Sequence, residues 1–220
     1  PQRNLRHAAC AALNGKSKIP SPARSLAANA ALTIRVMSRL NDILAFNNDF
    51  VASKAYEPLL TDRYPDKRIV IITCMDTRLT ELLPKAMNLR NGDAKILKIA
   101  GAVVAAPFGS VMRSILVAIY SLGAEEIYVV GHHDCGMTGM GHAEIIEKAT
   151  AAGVPQSTFD TLAHSGIDLA AWLTGFDSPA DGVHASVRMI KNQPLLPKSI
   201  VVHGLLMHPN TGKLDYLTAS

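Results

Sequence analysis

Two short stretches of this chain hold residue types that do chemistry: "CMDTR" (Cys74–Arg78) and "GHHDCGM" (Gly131–Met137). Each follows an apolar run rich in β-branched residues, so each reads as the loop at the end of a buried strand. A cysteine or histidine in such a loop could be a redox thiol, a metal ligand or an incidental buried side chain. For a lone cysteine the last is the ordinary case, because a free thiol packs as a small hydrophobe. Two such motifs at matching strand ends favour metal. Thiolates of Cys74 and Cys135 with the imidazole of His132 suit zinc, and three protein ligands leave a fourth position open for chemistry. His132 and Cys135, three apart in a turn, can converge on one ion, whereas Cys74 must arrive from a different strand.

Asp76 and Arg78 lie two apart on one side of an extended segment. On an open surface that is an ordinary ion pair worth little. Beside a zinc, a carboxylate held by a guanidinium can accept a hydrogen bond from the metal's water without ligating the metal. His133 and Asp134 are expected to diverge from the metal, since adjacent residues in an extended turn point apart. "GMTGMG" (Gly136–Gly141) lacks the glycine spacing of a nucleotide-binding fingerprint and reads as a turn. His164, His184, His203 and His208 read as structural or surface histidines.

The elements that must position these residues follow from the pattern. Ser38 reads as the cap of a helix to about Ala55, and "KRIVIITC" as the first buried strand. A short helix over Leu79–Met87 tolerates Pro84 with a kink. "AKILKIAGAV" is a second strand ending at Gly101. "SVMRSILVAIYSLG" is a helix with Ser110 as cap and Gly123 as stop. "EEIYVVGHHDC" is a third strand; helices follow near His142–Ala151, Thr158–Trp172 and Val183–Lys191. "SIVVHGLLMH" and "KLDYL" form a closing hairpin about Pro209–Gly212. Alternating strands and helices predict an α/β fold: one domain, a mostly parallel central sheet flanked by helices, a C-terminal hairpin at its edge and an N-terminal helical arm. In such sheets ligands sit at the carboxyl ends of strands, where both motifs fall.

The 220 residues, 48% hydrophobic, suffice for one core. The net charge of +4 says little about nucleic acid. No acidic residue precedes Asp42, so much of the excess sits in Arg3, Arg6, Lys16, Lys18, Arg24, Arg35 and Arg39. Residues 1–36 therefore read as a basic arm or transit-like leader before a zinc domain over 37–220. No apolar run reaches membrane-spanning length. Three cysteines (Cys10, Cys74 and Cys135) make no disulfide framework; a reducing, intracellular setting, or thiolates held by metal, fits better than a bridge. That setting is cytoplasmic, or mitochondrial or plastid if the leader is a transit peptide.

The paired C-x-D-x-R and H-x-x-C-G motifs, with "KIAGAVVAAPFGSVMRSILVAIYSLGAEEIYVV" between them and "VVHGLLMHPNTGKLDYL" after, resemble the β-class carbonic anhydrase family from about Ser38 to Leu217. The resemblance implies one zinc per chain on Cys74, His132 and Cys135, with Asp76 and Arg78 as the catalytic dyad. The implied reaction is reversible hydration of carbon dioxide to bicarbonate and a proton, by zinc-bound hydroxide that the dyad orients. Val103 and Val104 are candidates to line a pocket for a small apolar gas. The implied assembly is a homodimer or dimer of dimers, with a small-molecule substrate as the other partner. Two features depart from the family pattern: Lys98-Ile99 stands where Arg-Asn is frequent, and Ile71 where some members carry a regulatory tryptophan. The same resemblance extends to hydrolases of carbonyl sulfide or carbon disulfide. A non-catalytic zinc or thiol module is the alternative from another class.

Overall fold

The computed structural model describes residues 38–218, so the reading of residues 1–36, Cys10 included, lies outside it. The chain divides after Pro58 into two units.

In the first unit, helix α1 occupies residues 38–52. Ser38 is already helical and is not a cap. The helix ends where Lys54 turns to φ +56° and Ala55 N–H donates to Phe50 O at 3.1 Å, a left-handed stop three residues before the expected one. Leu40, Ile43, Leu44, Phe46 and Val51 are all exposed on it.

The second unit is built on a five-stranded sheet in the order β2-β1-β3-β4-β5. Its strands are β1 (Ile69–Cys74), β2 (Ala94–Ile99), β3 (Glu126–His132), β4 (Val201–Met207) and β5 (Leu214–Thr218). The first four are parallel and β5 pairs antiparallel with β4, which is the expected hairpin at one edge. Every residue of β1 is buried because helices cover both faces of a central strand. Edge strand β2 instead alternates, with exposed Ile96 and Lys98, and its lysines discourage pairing with another chain.

The alternation of side chains along β1 divides the core. Val70 and Ile72 pack with Met112, Ile115, Val187 and Ile190 on the face covered by α3 (Ser110–Tyr120) and α7 (Pro179–Lys191). Ile69 and Ile71 pack with Leu79 and Leu83 of α2 (Leu79–Ala86) on the other face. Each fully buried isoleucine contributes about 1.5–3 kcal/mol relative to an exposed one. The remaining helices are α4 (His142–Ala151), α5 (Gln156–His164) and α6 (Leu169–Leu173). None of the described helices is long and apolar enough to cross a membrane.

Three further expectations are corrected. Gly109, extended at φ −80° and ψ 172°, is the residue before α3, and Ser110 is its first helical residue. Gly123 does stop that helix, at φ +73° with its N–H on Ile119 O. The helix expected over Thr158–Trp172 is two, α5 and α6. Gly166 adopts φ +81° and Asp168 caps a new start by accepting Ala171 N–H at 2.9 Å. Finally, α7 begins at Pro179, with Ser178 Oγ accepting Asp181 N–H at 3.2 Å, four residues before the expected Val183.

Candidate metal centre

The register of the sheet brings the two motifs together. Neighbouring strands β1 and β3 pair in parallel, Thr73 beside Val130, so the loops after both leave the same end of the sheet. Cys74 ends β1, His132 ends β3, and Cys135 returns in the following turn; all three are buried. Their donor atoms lie within 4.8 Å of one another, with Cys74 Sγ and Cys135 Sγ 3.9 Å apart. Two thiolates on one tetrahedral zinc, at bond lengths of about 2.3 Å, stand about 3.8 Å apart. The spacing fits.

The histidine supplies the sharper test. His132 Nδ1 lies 2.8 Å from the His133 carbonyl, which can only accept, so Nδ1 carries the proton. The lone pair is thereby left on Nε2, which is buried without a hydrogen-bond partner. An unpartnered buried acceptor is costly unless something binds it. A metal ion beside the two sulfurs would bind it, and the Nδ1 bond is the outer contact that orients a metal-bound histidine.

Charge is arranged to suit. Burial by itself would raise the Cys74 thiol, but the His132 imidazole and the N–H groups of Asp76 and Gly101 outweigh it and hold it at about 7. Burial, with Cys74 adding to it, pushes Cys135 up to about 11. Burial pulls His132 down, yet the Cys74 sulfur raises it on balance. Gly101 can approach so closely because it is glycine at φ +61°; a Cβ there would stand 2.8 Å from Phe176 and 2.9 Å from Met137.

Asp76 and Arg78 sit at the rim. Arg78 Nη2 donates to Asp76 Oδ2 at 2.8 Å and Nε to Oδ1 at 3.1 Å. That grip, chiefly its hydrogen bonds, holds the Asp76 carboxyl at about 2. Asp76 Oδ1 also accepts Arg78 N–H at 2.8 Å, closing the turn that leads into α2. Asp76 Oδ2 lies 3.8 Å from His132 Nε2, facing the metal position.

Two contacts were not legible in the sequence. Lys98 of β2 donates through Nζ to Thr80 Oγ1 at 2.8 Å and to the Asp76 carbonyl at 3.3 Å, fastening the loop from the neighbouring strand. Asp134 diverges from the metal position as expected, but onto Arg78: Nη1 donates to its Oδ2 at 2.8 Å and Nη2 to its carbonyl at 2.9 Å. Of the two valines proposed to line a pocket, Val104 is 3% exposed and packs in the α3–α7 core, leaving only Val103 partly open. A groove of about 400 Å³ along α3, lined by Phe108, Met112, Val117 and Tyr120, includes none of the site residues.

Comparison with known proteins agrees with this geometry. A family model described as carbonic anhydrase matches residues 69–214, which contain both motifs. The chain is 60% identical over 179 residues to YvdA of Bacillus subtilis, a protein provisionally named a carbonic anhydrase; the match covers 81% of this chain and 91% of that one. It is 30% identical to a carbon disulfide hydrolase of Saccharolobus solfataricus, over 68% of this chain and 76% of the other. Among solved structures, a β-carbonic anhydrase of Trichomonas vaginalis superposes with a TM-score of 0.73 at 34% identity, covering 80% of this chain and 96% of that one. With the parallel sheet, the paired loops and these matches in agreement, the chain belongs to the β-class carbonic anhydrase family of enzymes.

Proposed function

We propose that the chain catalyses the reversible hydration of carbon dioxide to bicarbonate and a proton, with one zinc ion held by Cys74, His132 and Cys135. The observation that carries this reading is the unpartnered Nε2 of His132 beside two sulfurs 3.9 Å apart, next to a carboxylate held ready by an arginine. When bound, the metal supplies a water of lowered pKa, able to act as a nucleophile near neutral pH.

The chain's own residues do the rest. Asp76, ionised above about pH 2, is an acceptor and not an acid at any working pH. Its Oδ2 would therefore accept the proton left on such a water and so orient it. Arg78 acts through Asp76 as a positioning residue, gripping both carboxylate oxygens along its Nε–Nη2 edge so that the group would not turn onto the metal. The exposed apolar stripe of α1 supports assembly as a homodimer or dimer of dimers.

Zinc analysis paired with stopped-flow hydration of carbon dioxide tests the proposal. One equivalent of zinc and rapid turnover are expected; a metal-free chain of equal activity would refute it. The second reading, hydrolysis of carbonyl sulfide or carbon disulfide at the same site, is favoured by the likeness to the Saccharolobus enzyme. Parallel assays on each gas decide between them.

A further inference from the structure

Arg78 is shared. Its guanidinium has five N–H donors in a rigid fork, and four are engaged here by two carboxyl-bearing residues from different loops. Nε and one N–H of Nη2 face Asp76, while the other N–H of Nη2 and one of Nη1 face Asp134. A guanidinium held along one edge only can still swing about that edge. Held along two, it has one orientation left.

Asp134 is shaped for that contact. It is a non-glycine residue at φ +53°, in the left-handed region that few side chains tolerate, although aspartate is among those that do. That conformation aims both its carbonyl and its carboxylate at Arg78, while Cys135, one residue on, turns back to the buried site. The Asp134 side chain is 83% exposed. A pair so open to water adds little to folding stability, so holding the fold together does not account for a strained backbone there.

We propose that Asp134 is a positioning residue for the reaction: it fixes Arg78 so that the arginine presents its Nε–Nη2 edge to Asp76 and keeps that carboxylate from turning towards the metal position. The inference rests on the proposed activity for its kinetic consequence, but not for its structural one. The contact couples the two loops in the protein as it stands, before any metal is considered.

The test uses Asp134→Gly, Asp134→Asn and, as a control for loss of an exposed ion pair, Glu144→Gln, whose partner Lys148 lies one turn on in α4. Glycine accepts φ +53° without strain and keeps the carbonyl contact, so Asp134→Gly removes only the carboxylate. Asparagine tolerates the backbone and still offers a neutral acceptor. For Asp134→Gly the expected result is zinc content unchanged, kcat for carbon dioxide hydration down tenfold or more, and KM within twofold. Asp134→Asn is expected to fall between it and the unsubstituted chain, and Glu144→Gln to match the latter. Independently of activity, the side-chain 1H–15N signals of Arg78 in the zinc-free protein should be resolved in the unsubstituted chain and broadened in Asp134→Gly. A kcat within twofold for Asp134→Gly overturns the proposal. So does a loss of activity that follows loss of zinc with the Arg78 signals unchanged. If the unsubstituted chain turns over none of the three gases, the proposed function fails instead, and the Arg78 signals still decide whether Asp134 fixes the guanidinium.

Discussion

Oδ2 of Asp76 lies 3.8 Å from Nε2 of His132, while Nη2 of Arg78 holds that same oxygen at 2.8 Å. Donor atoms around a tetrahedral zinc stand about 3.3–3.8 Å apart, given bond lengths of about 2.0–2.3 Å, with a nitrogen–oxygen pair at the short end. Asp76 is thus within about half an ångström of ligand spacing from one donor, and what restrains it is the arginine.

Loss of the guanidinium should therefore cost far more than an exposed ion pair is worth. Arg78→Ala is expected to lower kcat/KM about a hundredfold or more, the scale of losing a group that stabilises the transition state. Arg78→Lys should also fail substantially, since an ammonium lacks the planar two-point grip. Stopped-flow kinetics at fixed zinc content checks both; near-normal turnover in either would end the restraining role.

Metal uptake should depend on pH in two stages. The metal takes thiolates, and in the metal-free protein Cys74 titrates at about 7 and Cys135 at about 11. Between pH 7 and 9 binding chiefly displaces the Cys135 proton, so affinity should climb about tenfold per unit. Below pH 7 Cys74 is protonated as well, and affinity should fall by about a hundredfold per unit or more. Competition against a chromophoric chelator at several pH values measures this, and a flat affinity would be incompatible with thiolate ligation. Alanine at Cys74, His132 or Cys135 should weaken zinc binding at least about a hundredfold, beyond the effect of losing an outer contact.

Activity should climb through the mildly alkaline range and be largely absent in mild acid. Two thiolates and a neutral imidazole cancel the zinc's charge, so its water should ionise above the value of about 7 reached with three histidines. Asp76, already ionised above about pH 2, supplies no limb in this range. Rates measured between about pH 6 and 9 at constant ionic strength give the profile. If kcat/KM does not vary, ligand charge is not what sets the nucleophile.

Gly101→Ala should destabilise by about 1–3 kcal/mol through the left-handed backbone alone. The added Cβ also meets Phe176 and Met137. Thermal unfolding of the metal-free and zinc-loaded forms checks this, with a midpoint unchanged in both as the contrary result.

The exposed apolar residues of α1 predict association. Sedimentation at micromolar concentration should find a dimer or larger, and Ile43→Glu with Phe46→Glu should shift it towards monomer. A monomer in the unsubstituted chain would remove the reason for that stripe.

What could be read beforehand was what depends on local pattern. Ile69–Cys74 is almost wholly apolar on both faces, which a central strand between helical layers accommodates; that the motif after it lies beside the one after β3 comes from the strand order of the sheet. The break between α5 and α6 was legible in Ser165-Gly166 and the capping Asp168, but the apolar periodicity on either side overrode it. The same holds for Ser178-Pro179 at the start of α7. Asp134 on Arg78 and Lys98 on Thr80 were not legible. Each joins residues far apart in sequence through a long side chain, and the first also needs a positive φ that aspartate does not announce. Val104 misled for a related reason: a strained turn at Ala102, φ +58°, sends it to the core side of the sheet.

The pairing of β1 with β3 in the middle of the sheet has a consequence for how metal joins the protein. In a zinc finger the ion gathers a loose chain, and much of its binding energy is spent on ordering. Here Cys74 and His132 end adjacent central strands and cannot part unless the sheet opens, and Cys135 follows three residues on in a short turn, so most of the donors' conformational entropy was surrendered when the domain folded. Stripping the metal should leave far-ultraviolet circular dichroism almost unchanged, and reloading should be limited by the ion's arrival and its protons, with no refolding phase.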